Sequence, residues 1–178
     1  GSPIAYYQQV GRAGRALDRA RVVLLRGHED RDIQDYFIRN AFPPREQAEQ
    51  VIALLEAAGG PVKLSEIEAE VNVQHSRLEA MLKILDAEGA VERVGSAWQR
   101  TLAPWAYDEE RVERVTAERR AEQEAMARYG TDGTCLMRFL RTQLDDATGA
   151  AVDCGRCSVC RVAAGAPAAR PTFEPELV

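Results

Sequence analysis

Cys154-Gly155-Arg156-Cys157-Ser158-Val159-Cys160 is the stretch around which the chain is organised. With Cys135 it holds all 4 cysteines of the 178 residues, in the spacing C-x18-C-x2-C-x2-C. Two residues between thiolates let one tight loop turn two sulfurs onto the same ion, and a tetrahedral site takes four such ligands at about 2.3 Å. Gly155 can take the positive φ that a turn around a metal often requires. Cys135 returns from a distance, at the start of a helix expected over Thr134–Leu144, where the N-terminal dipole favours a thiolate. The spacing therefore predicts a closed, structural zinc site on Cys135, Cys154, Cys157 and Cys160. Disulfides and free buried thiols are the alternatives. A dense triplet is a poor disulfide framework, and no secretory signal is visible in the sequence. Four thiolates leave no open position for catalysis at the metal.

Upstream of the cysteines, residues 103–130 read as one long polar helix after Pro104. Opposite charges recur at i,i+4, as in Glu110/Arg114, Arg114/Glu118 and Glu124/Arg128. Its apolar stripe is thin: Val112, Val115, Met126 and Tyr129. In the helix after Cys135, the residues Leu136, Phe139, Leu140 and Leu144 form the apolar face. From Ala163 onward the Ala/Pro tail has little to bury and reads as disordered or a linker.

Further upstream, residues 45–101 carry the pattern of a winged helix. Ala48, Val51, Ile52 and Leu55 lie at i, i+3, i+4 and i+7, and Gly59-Gly60-Pro61 ends that helix. Val62-Lys63-Leu64 is a short strand candidate. Ser65 is the expected N-cap of a second helix, with Glu68 completing a capping box. A third helix, about Gln74 to Ala87, buries Leu78, Met81, Leu82 and Leu85. Val91–Val94 and Ala97–Thr101 flank Gly95-Ser96, a tight hairpin turn. Helices, a turn and a hairpin in this order make a helix-turn-helix with a wing. The fold class expected is mainly α with a small β component. Gln74, His75, Arg77 and Lys83 on the third helix, with Arg93 and Arg100 on the wing, are the candidate DNA contacts. Glu79, Asp86 and Glu92 share those surfaces and oppose phosphate. A docking role for the same module therefore stays open. Trp98 lies near the hairpin rather than at its tip, which favours core packing over base stacking.

Residues 1–44 open with Tyr6-Tyr7-Gln8-Gln9-Val10-Gly11-Arg12-Ala13-Gly14-Arg15. Arg21–Leu25 reads as a buried strand, and Asp30–Ala41 as a helix ended by Pro43-Pro44. Ile33, Tyr36, Phe37 and Ala41 fall on one face of that helix, expected to be core. The totals bound these readings. A hydrophobic content of 46% can build a core. No apolar run reaches the roughly 18 residues that span a bilayer. A formal charge of −5 and a pI near 5.2 argue against a uniformly basic nucleic-acid binder, but not against one with a basic face. The expected compartment is the cytoplasm, in association with the nucleoid, with no membrane partner and a monomeric state.

The N-terminal string resembles motif VI of superfamily 2 helicases, Q-x-x-G-R-x-x-R, fitted by Gln8, Gly11, Arg12 and Arg15. The two tyrosines before the glutamine make it similar to RecQ-type DNA helicases in particular. The stretch from Glu118 through Met126-Ala127-Arg128-Tyr129 to Cys135, and on to the C-x2-C-x2-C knuckle, is similar to the helical zinc-binding module of that family. The resemblance implies a parent enzyme that hydrolyses ATP with Mg²⁺ and moves 3′ to 5′ on DNA. It implies that Arg12 and Arg15 reach the nucleotide, that Gln8 couples that site to the lobe interface, and that zinc holds the long helix to this segment. The Gly-rich phosphate loop and the acidic Mg²⁺ motif are not in this sequence, so the chain is expected to be a C-terminal piece, inactive alone. The expected division is 1–44, the end of the second RecA-like motor lobe; 45–102, a winged helix; 103–162, the long helix and zinc module; and 163–178, the tail. The winged helix precedes the cysteines here, whereas the family places it after them.

Overall fold

The computed structural model describes residues 1–16, 20–146, 148 and 152–167. They are mainly helical, with one small antiparallel sheet. No helix among the described residues is long and apolar enough to cross a membrane. The chain divides into two compact units. One is Gly1–Gln34 with Glu118–Val178, and the other is Asp35–Ala117.

The unit Asp35–Ala117 is built on the apolar spacing of its helices. Helix α3 (Arg45–Ala58) buries Ala48, Val51, Ile52 and Leu55, and Gly59 ends it with φ 62° in the left-handed cap. Strand β1 (Val62–Lys63) runs straight into α4 (Leu64–Glu70). The Glu66 carboxylate accepts from the Lys63 backbone N–H at 3.0 Å, so the cap falls at Lys63 rather than at Ser65. Helix α5 (His75–Ala87) buries Leu78, Met81, Leu82 and Leu85, and the chain turns at Gly89 with φ 74°. Strands β2 (Val91–Val94) and β3 (Ala97–Arg100) form the hairpin, paired Val91↔Arg100 through Val94↔Ala97. Gly95 takes φ 61° and Ser96 a negative φ, the signature of a two-residue turn with glycine first. The sheet order is β1-β3-β2, all antiparallel, with Val62 opposite Trp98. Trp98 is 7% exposed and belongs to the core, as its place in the sequence suggests.

Leu82 sits fully buried at the centre of this core. Leu82→Ala should cost about 3 kcal/mol, from lost transfer energy and the cavity left behind. Urea unfolding followed by circular dichroism reads this as a lower midpoint at unchanged slope.

The helix expected over residues 30–41 forms as α2 (Asp30–Arg39). Its face does not become core: Ile33, Tyr36 and Phe37 are 50, 59 and 66% exposed, and Ile38 is its buried residue. The core of α3, α4, α5 and the sheet closes without those three side chains. The long helix α6 spans Glu109–Arg128, starting later than residue 103. The segment before it is held in irregular form. Tyr107 donates its hydroxyl to the Pro43 carbonyl at 2.9 Å, and Trp105 donates Nε1–H to Glu88 at 2.9 Å.

In the other unit, α1 (Pro3–Val10) starts on Ser2, whose Oγ accepts from the Ala5 N–H at 3.2 Å, with Pro3 in the first turn. Arg21–Leu25 is not a strand. Val22, Val23 and Leu25 are exposed and the segment has no ladder. A strand exists only by pairing, and every strand among the described residues lies in the β1-β3-β2 sheet. Helices α7 (Leu136–Thr142) and α8 (Ser158–Ala163) complete this unit. Its core gathers Ala125, Tyr129, Phe139 and Leu140, with Tyr6, Tyr7, Leu24 and Leu136 packed against them. The buried Gln123 is satisfied, donating to the Arg31 carbonyl at 3.4 Å and accepting from Arg120 at 3.1 Å. The expected i,i+4 partner of Arg128, Glu124, pairs instead with Arg31 at 3.3 Å. The tail expected from residue 163 begins as the last turn of α8, and residues 168–178 lie outside the described residues.

Candidate metal centre

The four cysteines come together. Their sulfurs all lie within 4.8 Å of one another, and none is in a disulfide. Cys135 is buried at the N-cap of α7. The turn that delivers it uses two left-handed glycines, Gly130 (φ 78°) and Gly133 (φ 76°). Between them, Asp132 Oδ1 accepts from the Thr134 N–H at 2.9 Å, and that bond holds the Asp132 carboxyl below its ordinary value. The knuckle folds on Gly155, with φ 69°. Cys157 then caps α8.

The backbone donates into this cluster at each step. Cys154 N–H reaches Cys135 Sγ at 3.2 Å, Cys157 N–H reaches Cys154 Sγ at 3.3 Å, and Cys160 N–H reaches Cys157 Sγ at 3.4 Å. Such donors stabilise sulfur as thiolate, the form that ligates a metal. Cys157 Sγ and Cys135 Sγ are 4.0 Å apart. A tetrahedron with metal–sulfur bonds of about 2.3 Å has edges of about 3.8 Å. The donor set therefore fits a single tetrahedral ion.

Burial opposes ionisation of Cys135. Hydrogen bonds from the backbone N–H groups of Cys154 and Arg138, helped by the Cys154 and Cys160 thiols, still bring it down to about 6. At Cys160, burial and then the hydrogen bonds with Cys157 and Cys135 push it up to about 12. Within one cluster the hydrogen bonds thus favour one thiolate while burial opposes another. A divalent cation removes that conflict, because it compensates all the thiolates together. Arg138 pairs with Asp153 at 2.9 Å and ties α7 to the start of the knuckle.

The N-terminal candidates lie in the same unit. Gln8 is exposed on α1, and Arg12 and Arg15 are exposed in the turns after it. Arg15 Nε–H donates to the Gly11 carbonyl at 3.5 Å. Tyr6 meets Tyr129 edge to face at 5.3 Å between ring centres, and Tyr129 meets Phe139 the same way at 5.5 Å. Burial, with the neighbouring Tyr6 next, raises the Tyr129 hydroxyl above its ordinary range.

Of the DNA candidates in the sheet-bearing unit, Gln74, Arg77 and Lys83 are exposed on or beside α5. His75 is also exposed, but it is paired to Glu68 at 2.9 Å; that hydrogen bond, and then the Glu68 charge, raise its pKa. Arg93 Nε–H donates to the Gly95 carbonyl at 3.2 Å, across the hairpin turn. Arg100 departs from expectation as an outward basic group. Its side chain is 13% exposed, pairs with Glu56 at 3.1 Å, and donates to the Ala90 and Thr101 carbonyls at 2.6 and 3.1 Å. It is occupied in closing the hairpin against α3.

One residue of consequence has no signal in the sequence. Arg26 donates to the carbonyls of Met126 at 3.0 Å and Ala127 at 3.2 Å, and to that of Tyr129. It thereby caps the C-terminal end of α6, where unpaired carbonyls and the helix dipole favour a cation. An arginine in a loop about a hundred residues earlier carries no local pattern that marks it.

Comparison with protein families, curated proteins and solved structures finds no match to this chain.

Proposed function

We propose that the chain is the C-terminal accessory region of a RecQ-like, ATP-dependent DNA helicase. On this reading residues 45–102 are a winged helix and zinc is the structural ion on Cys135, Cys154, Cys157 and Cys160. One observation carries it: Tyr6 of the Q-x-x-G-R-x-x-R segment packs on Tyr129, which packs on Phe139 one turn beyond Cys135. Two strings that resemble parts of one family, far apart in sequence, thus share one core. The three-helix order of α3, α4 and α5 followed by the β2–β3 hairpin supports the winged-helix reading. Zinc is favoured over other ions by an all-thiolate tetrahedral donor set. Zinc bound there carries no chemistry: it closes the knuckle onto α7. ATP and Mg²⁺ belong to motor lobes outside these residues, and Arg12 and Arg15 would complete that site.

A second reading is a protein-docking module. It draws on the acidic partners of His75 and Arg100, which take two basic candidates out of service.

Fluorescence anisotropy against single strands, blunt duplex and 3′-tailed duplex, across a salt series, separates the two. The helicase reading expects binding that favours the tailed junction and weakens steeply with salt. Arg77→Ala and Lys83→Ala should each lower affinity across all sequences, as phosphate contacts do. No binding to any DNA, with zinc bound and the fold intact, would favour docking.

A further inference from the structure

We infer that the four-cysteine centre and the arginine-bearing N-terminal segment are energetically coupled through one stack of rings, making Tyr6, Tyr129 and Phe139 positioning residues for Gln8, Arg12 and Arg15. The inference rests on the metal reading of the cysteines and deepens the role proposed for the arginines.

The path is continuous. The Cys135 carbonyl accepts from the Phe139 N–H at 2.9 Å, so the ligand and the first ring belong to the same helical turn. Phe139 meets Tyr129 at 5.5 Å with the rings 64° apart, and Tyr129 meets Tyr6 at 5.3 Å and 65°. Both contacts are edge to face, a geometry that depends on ring orientation. Tyr129 is shared between them, so turning it disturbs both. From Tyr6, α1 continues through Gln8, and the Gly11 N–H closes on the Tyr7 carbonyl at 2.9 Å. Arg15 then reaches back to the Gly11 carbonyl.

Length makes this path decisive. Helix α1 has 8 residues and α7 has 7. Isolated helices shorter than about 12–15 residues are marginal in water, so each is ordered by what it packs on. The metal fixes the N-cap of α7, Cys135, and α7 holds the ring on which Tyr129 rests. Tyr129 holds Tyr6. Releasing the metal frees the start of α7, and the stack loses its anchor at one end. Coupling of this kind is reciprocal: if the metal orders α1, docking of α1 tightens the metal by the same factor.

The test is hydrogen exchange on the whole chain, zinc-loaded and after chelation under reducing conditions, following the amides of residues 4–11. Zinc affinity is measured in parallel by competition with a chromophoric chelator. In the unmodified chain, zinc removal should speed exchange of these amides by about tenfold or more. Tyr6→Ala should leave one zinc bound, speed α1 exchange with zinc present, and abolish its dependence on zinc. The same variant should weaken zinc by about tenfold, within the usual range for coupled sites. Tyr6→Phe keeps the ring but loses the hydroxyl bonded to Tyr129, so α1 exchange should still depend on zinc and zinc affinity should fall less than with Tyr6→Ala. Exchange of α1 that ignores zinc in the unmodified chain, or equal zinc affinity for Tyr6→Ala, would overturn the coupling while leaving the metal site standing. A chain that takes up no zinc at all would overturn the metal reading, and the coupling with it.

Discussion

Cys157→Ser should lose its zinc and with it the cooperative melting of α7 and α8. Cys157 is tied to each of the other three cysteines. Its sulfur lies 4.0 Å from that of Cys135, accepts from the Cys160 N–H, and caps α8, while its own N–H donates to Cys154. A serine hydroxyl at this place stays protonated at neutral pH and is a harder, shorter ligand, so three thiolates remain where four are needed. The effect is large because the unit has little else. Among the described residues its core cluster holds four buried apolar residues, Ala125, Tyr129, Phe139 and Leu140, against fourteen in the sheet-bearing unit. Structural zinc binding in small modules amounts to about 10–16 kcal/mol, which rivals or exceeds the whole stability of a domain. The measurement is zinc content by atomic emission beside a thermal melt, with chelator-treated unmodified chain as reference. Chelation and Cys157→Ser should give the same loss of about one zinc per chain. An unchanged melt in the variant would end the four-thiolate reading.

What the sequence discloses and what it hides follow from range. Ala48, Val51, Ile52 and Leu55 declare α3 because a helix repeats its buried face within a few residues, and the structure buries all four. Gly95-Ser96 declares the β2–β3 hairpin because so short a loop admits few backbone shapes. The cysteine spacing declares a cluster because the knuckle's ligands share a turn, and its distant member, Cys135, declares itself by its place at a helix start, where it caps α7. Misreadings arise where a distant partner decides. Ser65 has the right side chain for a cap, but Glu66 reaches back to Lys63 first. Trp105 and Tyr107 are pulled to Glu88 and Pro43, and so delay α6 to Glu109. Arg100 looks like any basic hairpin residue until Glu56 and the Ala90 carbonyl come close to it. Val22, Val23 and Leu25 have the composition of a buried strand, but burial and pairing come from neighbours that composition does not supply.

On the proposed helicase reading, Arg15→Ala in a protein carrying the motor lobes should lower ATP turnover by about a thousandfold or more, the usual worth of an arginine that meets the transferring phosphoryl group. The fold offers no reason for a structural loss. Arg15 is exposed, and among the described residues it donates a 3.5 Å hydrogen bond to the Gly11 carbonyl four residues earlier. The isolated chain should therefore melt at the same temperature with or without the substitution. Charge develops on the phosphoryl oxygens in the transition state, so the loss belongs in kcat, while the KM for ATP changes little. Arg15→Lys separates charge from shape. A lysine keeps the positive charge but lacks the planar fork of donors, so it should recover only a small part of the lost rate. Tyr6→Ala gives the complementary case. It leaves both arginines in place but frees the helix that leads to them, so turnover should fall less than with Arg15→Ala and should no longer respond to zinc. A parent enzyme that hydrolyses ATP at its normal rate with Arg15→Ala would refute the nucleotide role of this segment, whatever the cysteines hold.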